Sequence, residues 1–133
     1  MARQTSYFTV TKKGRDQGKT FLLTEMSALQ ADRWATRALF AITKGEVIVP
    51  ESVSGAGFAF LAEAGLKILL LAPLDMVEPL LDELTDCVKF VPNADNKSVV
   101  RDIHESDIEE AGTYADLRQQ VFELISGFFQ QGE

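Results

Sequence analysis

Residues 24–45, TEMSALQADRWATRALFAITKG, decide how the rest of the chain is read. Ser27 is a strong N-cap ahead of Ala28, and Gly45 stands where a left-handed C-cap would close a helix just after Lys44. At 3.6 residues per turn, Ala31, Trp34, Ala35, Ala38, Ala41 and Ile42 fall on one face, and their mostly small side chains predict close approach by a neighbouring element. Leu29 and Phe40 project almost opposite that face, beside Arg33 and Arg37, which are themselves neighbours at i and i+4. A helix serving only its own core needs one apolar stripe. The second patch is therefore covered by another part of the chain or forms a contact surface for a partner, with Leu29, Arg33, Arg37 and Phe40 as its candidate residues.

Around this helix the pattern is mixed. SYFTVT at 6–11 alternates polar and bulky residues, and Lys19–Thr24 supplies a second short run, so the two predict an N-terminal β-hairpin. Gly14 and Gly18 provide its turn positions, and Lys12, Lys13, Arg15 and Lys19 make its tip basic. Gly18-Lys19-Thr20 is not a phosphate-binding loop, because Gly14 and Gly18 are too close together for that motif and a strand pattern follows.

Phe58–Leu71 reads as a largely buried helix, with a central strand over Leu66–Leu71 as the alternative, and Pro73 ends it. Asp75 is the expected cap of the next helix, whose apolar stripe is Val77, Leu80, Leu81, Leu84 and Val88 and whose other side carries the acidic Asp75, Glu78, Asp82 and Asp86. A second short hairpin or an extended loop is expected where Phe90-Val91 and Val99-Val100 flank PNADNKS. Ser106 to Glu109 matches a capping box, and the last main helix is expected from about Tyr114 to Phe129. There Tyr114, Leu117, Val121, Leu124, Ile125 and Phe128 face one way, and Phe122 and Phe129 widen the apolar surface into a second candidate patch. The expected fold is thus α+β: a predominantly helical single domain of about four helices, with an N-terminal hairpin and room for a second one.

A length of 133 residues, 46% apolar and 25% charged, matches an ordinary globular domain. No apolar run approaches the roughly 20 residues of a membrane span, and the N-terminus lacks the apolar segment of a secretory signal. One cysteine, Cys87, excludes an internal disulfide and fits a reducing cytoplasm. The net charge of −7 is unevenly spread: residues 1–45 hold eight Lys or Arg against three Asp or Glu, and residues 46–133 hold five against seventeen. Such a split favours head-to-tail self-association, steers a basic partner to the acidic part, or serves solubility alone. A pI near 4.7 argues against nucleic acid as the main ligand.

Catalytic and metal-binding signatures are missing. His104 stands alone among Asp102, Glu105 and Asp107 without a converging ligand set, and it reads as a surface histidine near a helix start. Cys87 has no histidine placed by any motif and reads as a small buried thiol. Asp75, Asp82, Glu109 and Glu110 form a carboxylate pair only if the fold joins them, and the acidic helix side reads as a solvated face. No enzyme activity, cofactor or metal is expected.

The string from Phe21 to Ile42, with Thr24, Glu25, Met26, Ala31, Trp34, Ala35, Arg37, Ala38 and Leu39, resembles the opening of the tail assembly chaperones of long-tailed bacteriophages and prophages. LLDELTDCV at Leu80–Val88 and DIEEAGTYADLRQQVFELISGFF at Asp107–Phe129 are similar to later parts of that family in the same order, while Gly112 and Tyr114 depart from its pattern. The resemblance implies a non-enzymatic protein of the bacterial host cytoplasm, absent from the mature virion, that escorts the tape measure protein before the tail tube forms around it. It also implies, in many genomes, a longer frameshifted form through which the major tail protein is engaged; a homo-oligomer is a further open expectation, and the sequence does not set the oligomeric state. Alternatives of other classes are a small nucleic-acid-binding regulator using the basic N-terminal part and a structural tail component.

Overall fold

The computed structural model describes residues 4–44 and 64–130, with side chains placed up to residue 126 except that of residue 44. Strands β1 (Thr5–Thr9) and β2 (Thr20–Thr24) form the expected N-terminal hairpin. Helix α1 (Ala28–Lys44) follows, then a 3-10 helix at Leu66–Leu71, helix α2 (Leu74–Thr85), strands β3 (Val88–Val91) and β4 (Arg101–Asp102), a 3-10 turn at Glu105–Asp107, and helix α3 (Ala111–Gln130). The fold is α+β, as its alternating and helical segments predict.

The two hairpins are joined. β2 pairs with β3 as well as β1, giving one antiparallel sheet in the order β1-β2-β3-β4. The register sets Phe8 beside Phe21, Phe21 beside Phe90, and Phe90 beside Arg101, so one row of side chains crosses the whole sheet on its helix-facing side. Phe21 and Phe90 meet with ring centroids 5.4 Å apart, and the Arg101 guanidinium lies 4.9 Å from the Phe90 ring centre. On the other side, the loop after β3 reaches back to β1: Lys97 sits over the Tyr7 ring, and the Tyr7 hydroxyl donates to the Lys97 carbonyl at 3.3 Å.

α1 behaves as its sequence predicts. Ser27 Oγ accepts the Gln30 N–H at 3.1 Å, and Ala31, Trp34, Ala35, Ala38, Ala41 and Ile42 are all buried. Alanines on this face let α1 lie close to α2, and Trp34 fills the junction. Its ring meets Phe122 of α3 at 5.9 Å, and its Nε1–H donates to the Leu80 carbonyl at 3.0 Å. The expected C-cap at Gly45 and the first part of the expected helix at 58–63 lie outside the described residues.

Several boundaries differ from expectation. Leu66–Leu71 is a 3-10 helix, neither α-helix nor strand, with Leu69 buried. Asp75 does not cap α2: Pro73 is the N-cap residue, with no side-chain cap, and Asp75 lies in the first turn. β4 begins at Arg101, not at Val99-Val100, because turns at Asn93–Asn96 and Asn96–Val99 take up residues that a tighter hairpin would pair. Asp107, not Glu109, makes the reciprocal bond before the last helix, accepting the His104 N–H at 2.7 Å. α3 starts at Ala111, so Gly112 and Thr113 lie in its first turn and do not interrupt it. Among the described residues, no helix is long and apolar enough to cross a membrane.

Because Trp34 joins three helices and its donor is satisfied, Trp34→Ala is expected to lower the unfolding free energy by about 3–5 kcal/mol, and Trp34→Phe by about 1–2 kcal/mol. Urea titration followed by far-UV circular dichroism checks both values.

Candidate protein-binding surface and the buried latch

Leu29 and Phe40 are 61% and 65% exposed, so they lie outside the core. Eleven residues apart, they stand within about 20° of each other around the helix and about 16 Å apart along it. Exposed Arg33 and Thr36 lie on the same stripe between them. The outer side of α1 thus presents two apolar knobs three turns apart with a cation between. Arg37 is spoken for within the fold: its guanidinium is bidentate to Glu83 of α2, with Nη2 to Oε1 at 2.6 Å, and this pairing holds its proton more firmly than usual.

Phe122, expected in a surface patch, lies in the core. At 2% exposure it packs on Trp34 in the core and belongs to no surface patch, because the α3 face that widens the sequence pattern turns toward α1. Phe129 lies outside the residues whose side chains are described. Exposed apolar residues that the sequence does not single out as a surface include Tyr7 on β1, Val99 in the loop before β4, and Leu70, Leu71 and Leu74 at the 3-10 helix and the start of α2. The last three form one cluster. Their uninterrupted apolar run looked like core, but a 3-10 helix turns only every third residue inward, and Leu69 takes that place.

The site that sequence reading missed lies in the hairpin loop. Asp16 has no solvent exposure, and its carboxylate fills its acceptor capacity. Oδ1 accepts the Glu109 N–H at 2.9 Å and the Lys19 ammonium at 2.9 Å; Oδ2 accepts the Glu110 N–H at 3.0 Å and the Thr113 hydroxyl at 2.6 Å. Apart from Lys19, these are donors at and just before the first turn of α3, so a residue in the β1–β2 loop caps a helix that begins more than 90 positions later. Glu110 answers by accepting the Asp16 N–H at 3.2 Å. Lys19 completes the joint, also donating to the Asp107 carbonyl at 2.7 Å and to Glu109 at 3.3 Å, so it is not part of a free basic tip. Asp107 in turn takes a bidentate bond from Arg101, at 2.7 and 2.8 Å.

Glycine at positions 14 and 18 suits the backbone of the loop, and at Gly14 a side chain would displace the Glu110 carboxylate from the Asp16 N–H. Gly14 has φ +153°, and a Cβ there would fall 2.3 Å from the Glu110 carboxylate oxygen. Gly18, at φ +88°, supplies the left-handed turn that lets its N–H reach the Val10 carbonyl at 2.8 Å.

Burial alone pushes the Asp16 carboxyl up, but the hydrogen bonds from Thr113, Glu109, Lys19 and Glu110 outweigh it and hold the pKa at about 2, below the usual 3.8. The Arg101 fork is the main cause that holds Asp107 at about 2, against burial and with help from the His104 N–H. Asp75, Glu78, Asp82 and Asp86 are exposed, and among the described residues no three His, Cys, Asp or Glu side chains are grouped to hold a metal ion. His104 is exposed, and the Cys87 thiol is half-buried and donates to the Glu83 carbonyl at 3.4 Å.

Both depressed carboxylates bind protons less readily folded than unfolded, so their contribution is complete above pH 3.8 and is lost as pH falls toward about 2. A pH series of urea denaturations is expected to show this fall, and Asp16→Ala is expected to flatten it and to remove about 3–5 kcal/mol at neutral pH. Comparisons of the chain with protein-family models, with curated proteins and with solved structures find no match.

Proposed function

We propose that this chain is a non-enzymatic chaperone of phage tail assembly that binds the tape measure protein and keeps it in solution until the tail tube forms. The observation that carries the reading is the outer stripe of α1, where Leu29 and Phe40 stand exposed on a helix whose opposite face is fully committed to the core. The resemblance of residues 21–42, 80–88 and 107–129 to that family supplies the identity of the partner.

Two apolar knobs about 16 Å apart, with Arg33 between them, suit an amphipathic helix that carries apolar residues at matching intervals and an acidic residue between. Leu70, Leu71 and Leu74 add apolar surface of the same kind. Each contact of this size is weak, and many copies arrayed along one long helical target would add their effects through effective concentration. Within the basic hairpin tip Lys19 is tied into the latch and Lys12 pairs with Asp116 at 3.0 Å, while Lys13 and Arg15 stand exposed, a small basic area on a chain of net charge −7.

Leu29→Asp and Phe40→Asp are expected to leave the unfolding free energy within about 0.5 kcal/mol of the parent, since both side chains are exposed. The paired substitution should release a co-expressed tape measure fragment into the insoluble fraction. A folded double variant that still keeps the fragment soluble contradicts the proposal.

A further inference from the structure

We infer that the open edge of β1 is a self-association surface, on which a second copy of this chain pairs β1 against β1 about a two-fold axis through Tyr7. The hydrogen-bond pattern sets which groups are free. Val10 N–H donates to the Lys19 carbonyl and Glu25 N–H to the Gln4 carbonyl, so the even-numbered residues of this stretch bond to β2. Thr5, Tyr7 and Thr9 therefore direct their N–H and C=O groups away from β2, toward the edge of the sheet where, among the described residues, no further strand pairs; all three residues are exposed.

Natural edge strands are usually guarded by lysine, proline or a bulge. β1 has none: it reads TSYFT, and it pairs with β2 one residue to one from Thr5↔Thr24 to Thr9↔Thr20. The bonding residues Thr5, Tyr7 and Thr9 also read the same in both directions, which suits the isologous contact of a two-fold dimer. Tyr7 then faces the second copy's Tyr7, and Thr5 faces the second copy's Thr9. All the outward donors and acceptors of the strand are satisfied at once.

Charge and shape agree with that register. Residues 4–11 carry no charge, and antiparallel pairing brings the Lys12-Lys13 end of one strand alongside the Gln4 end of the other, where Glu25 sits. Between the β1 edge and α3 runs a groove of about 250 Å3, with Phe8 and Val10 on one side and Gln119 and Gln120 on the other. In this register the second copy's Ser6 and Gln4 fall opposite Phe8 and Val10, so small and polar side chains enter the groove. The inference stands apart from the chaperone reading, since it uses a different element and concerns this chain alone.

The test is the mass of the full chain in solution by size-exclusion chromatography with light scattering over the micromolar range. The parent is expected to approach twice 14.7 kDa as concentration rises. Tyr7→Lys and Tyr7→Glu each place like charges across the axis and should weaken the dimer at least about tenfold, and an equimolar mixture of the two should recover it. A parent that stays at 14.7 kDa, folded charge variants that dimerise as the parent does, or a mixture that fails to recover overturns the inference. If either Tyr7 variant does not fold, Thr5→Pro, which removes an N–H that β2 does not use, is expected to yield a folded monomer, and a folded dimer there overturns it equally.

Discussion

The Asp16 carboxylate is the constraint on which the arrangement depends. A buried charge is stable only when its acceptors are filled, and all the donors that fill this one come from Lys19 and from residues 109–113. The hairpin loop and the start of α3 therefore close on each other, fixing how the N-terminal hairpin sits against the last helix. Arg101 and Asp107 carry the same joint into β4, and the Phe8-Phe21-Phe90-Arg101 row ties that edge back through the sheet. Polar bonds set the geometry, and the apolar layer around Trp34 and Phe122 supplies the burial that makes it stable.

A frame held in this way leaves particular surfaces unused. α1 is anchored by Trp34 and by the Arg37–Glu83 pair, so its outer stripe is presented on a rigid element. β1 is held on one side by β2, and among the described residues no strand pairs with its other side. One surface suits an amphipathic helix and the other an extended strand, and they can be occupied independently.

Where local periodicity decides the outcome, the sequence was sufficient to read the fold. The Ser27 cap, the buried face of α1 and the α2 stripe from Val77 to Leu84 follow from spacing within one element, as does the first hairpin; Val88, expected as the last member of that stripe, instead opens β3, because the helix ends at Thr85 and the chain must turn to pair with β2. What could not be read depends on contacts between distant residues. Asp16 looked like one more polar residue in a glycine-containing loop, yet its partners lie at the other end of the chain. The only local trace was the unusual pairing of two glycines around a lone acid in a basic stretch, and that trace does not identify a partner. The start of α3 was misplaced for the same reason, since the cap that begins the helix comes from another element. Phe122 and Leu70 were exchanged between core and surface because periodicity says which residues share a face and not which face turns inward.

The most direct test of the latch is native-state hydrogen exchange at the Glu109 and Glu110 amides. Amides at the start of a helix ordinarily exchange through local fraying, at a small fraction of the global unfolding free energy. If Asp16 holds them as described, both should be protected to within about 1 kcal/mol of the slowest amides in α1 and α2, and Asp16→Ala should release them selectively. Fast exchange at Glu109 and Glu110 in the parent, with the α1 and α2 amides still protected, would contradict the account.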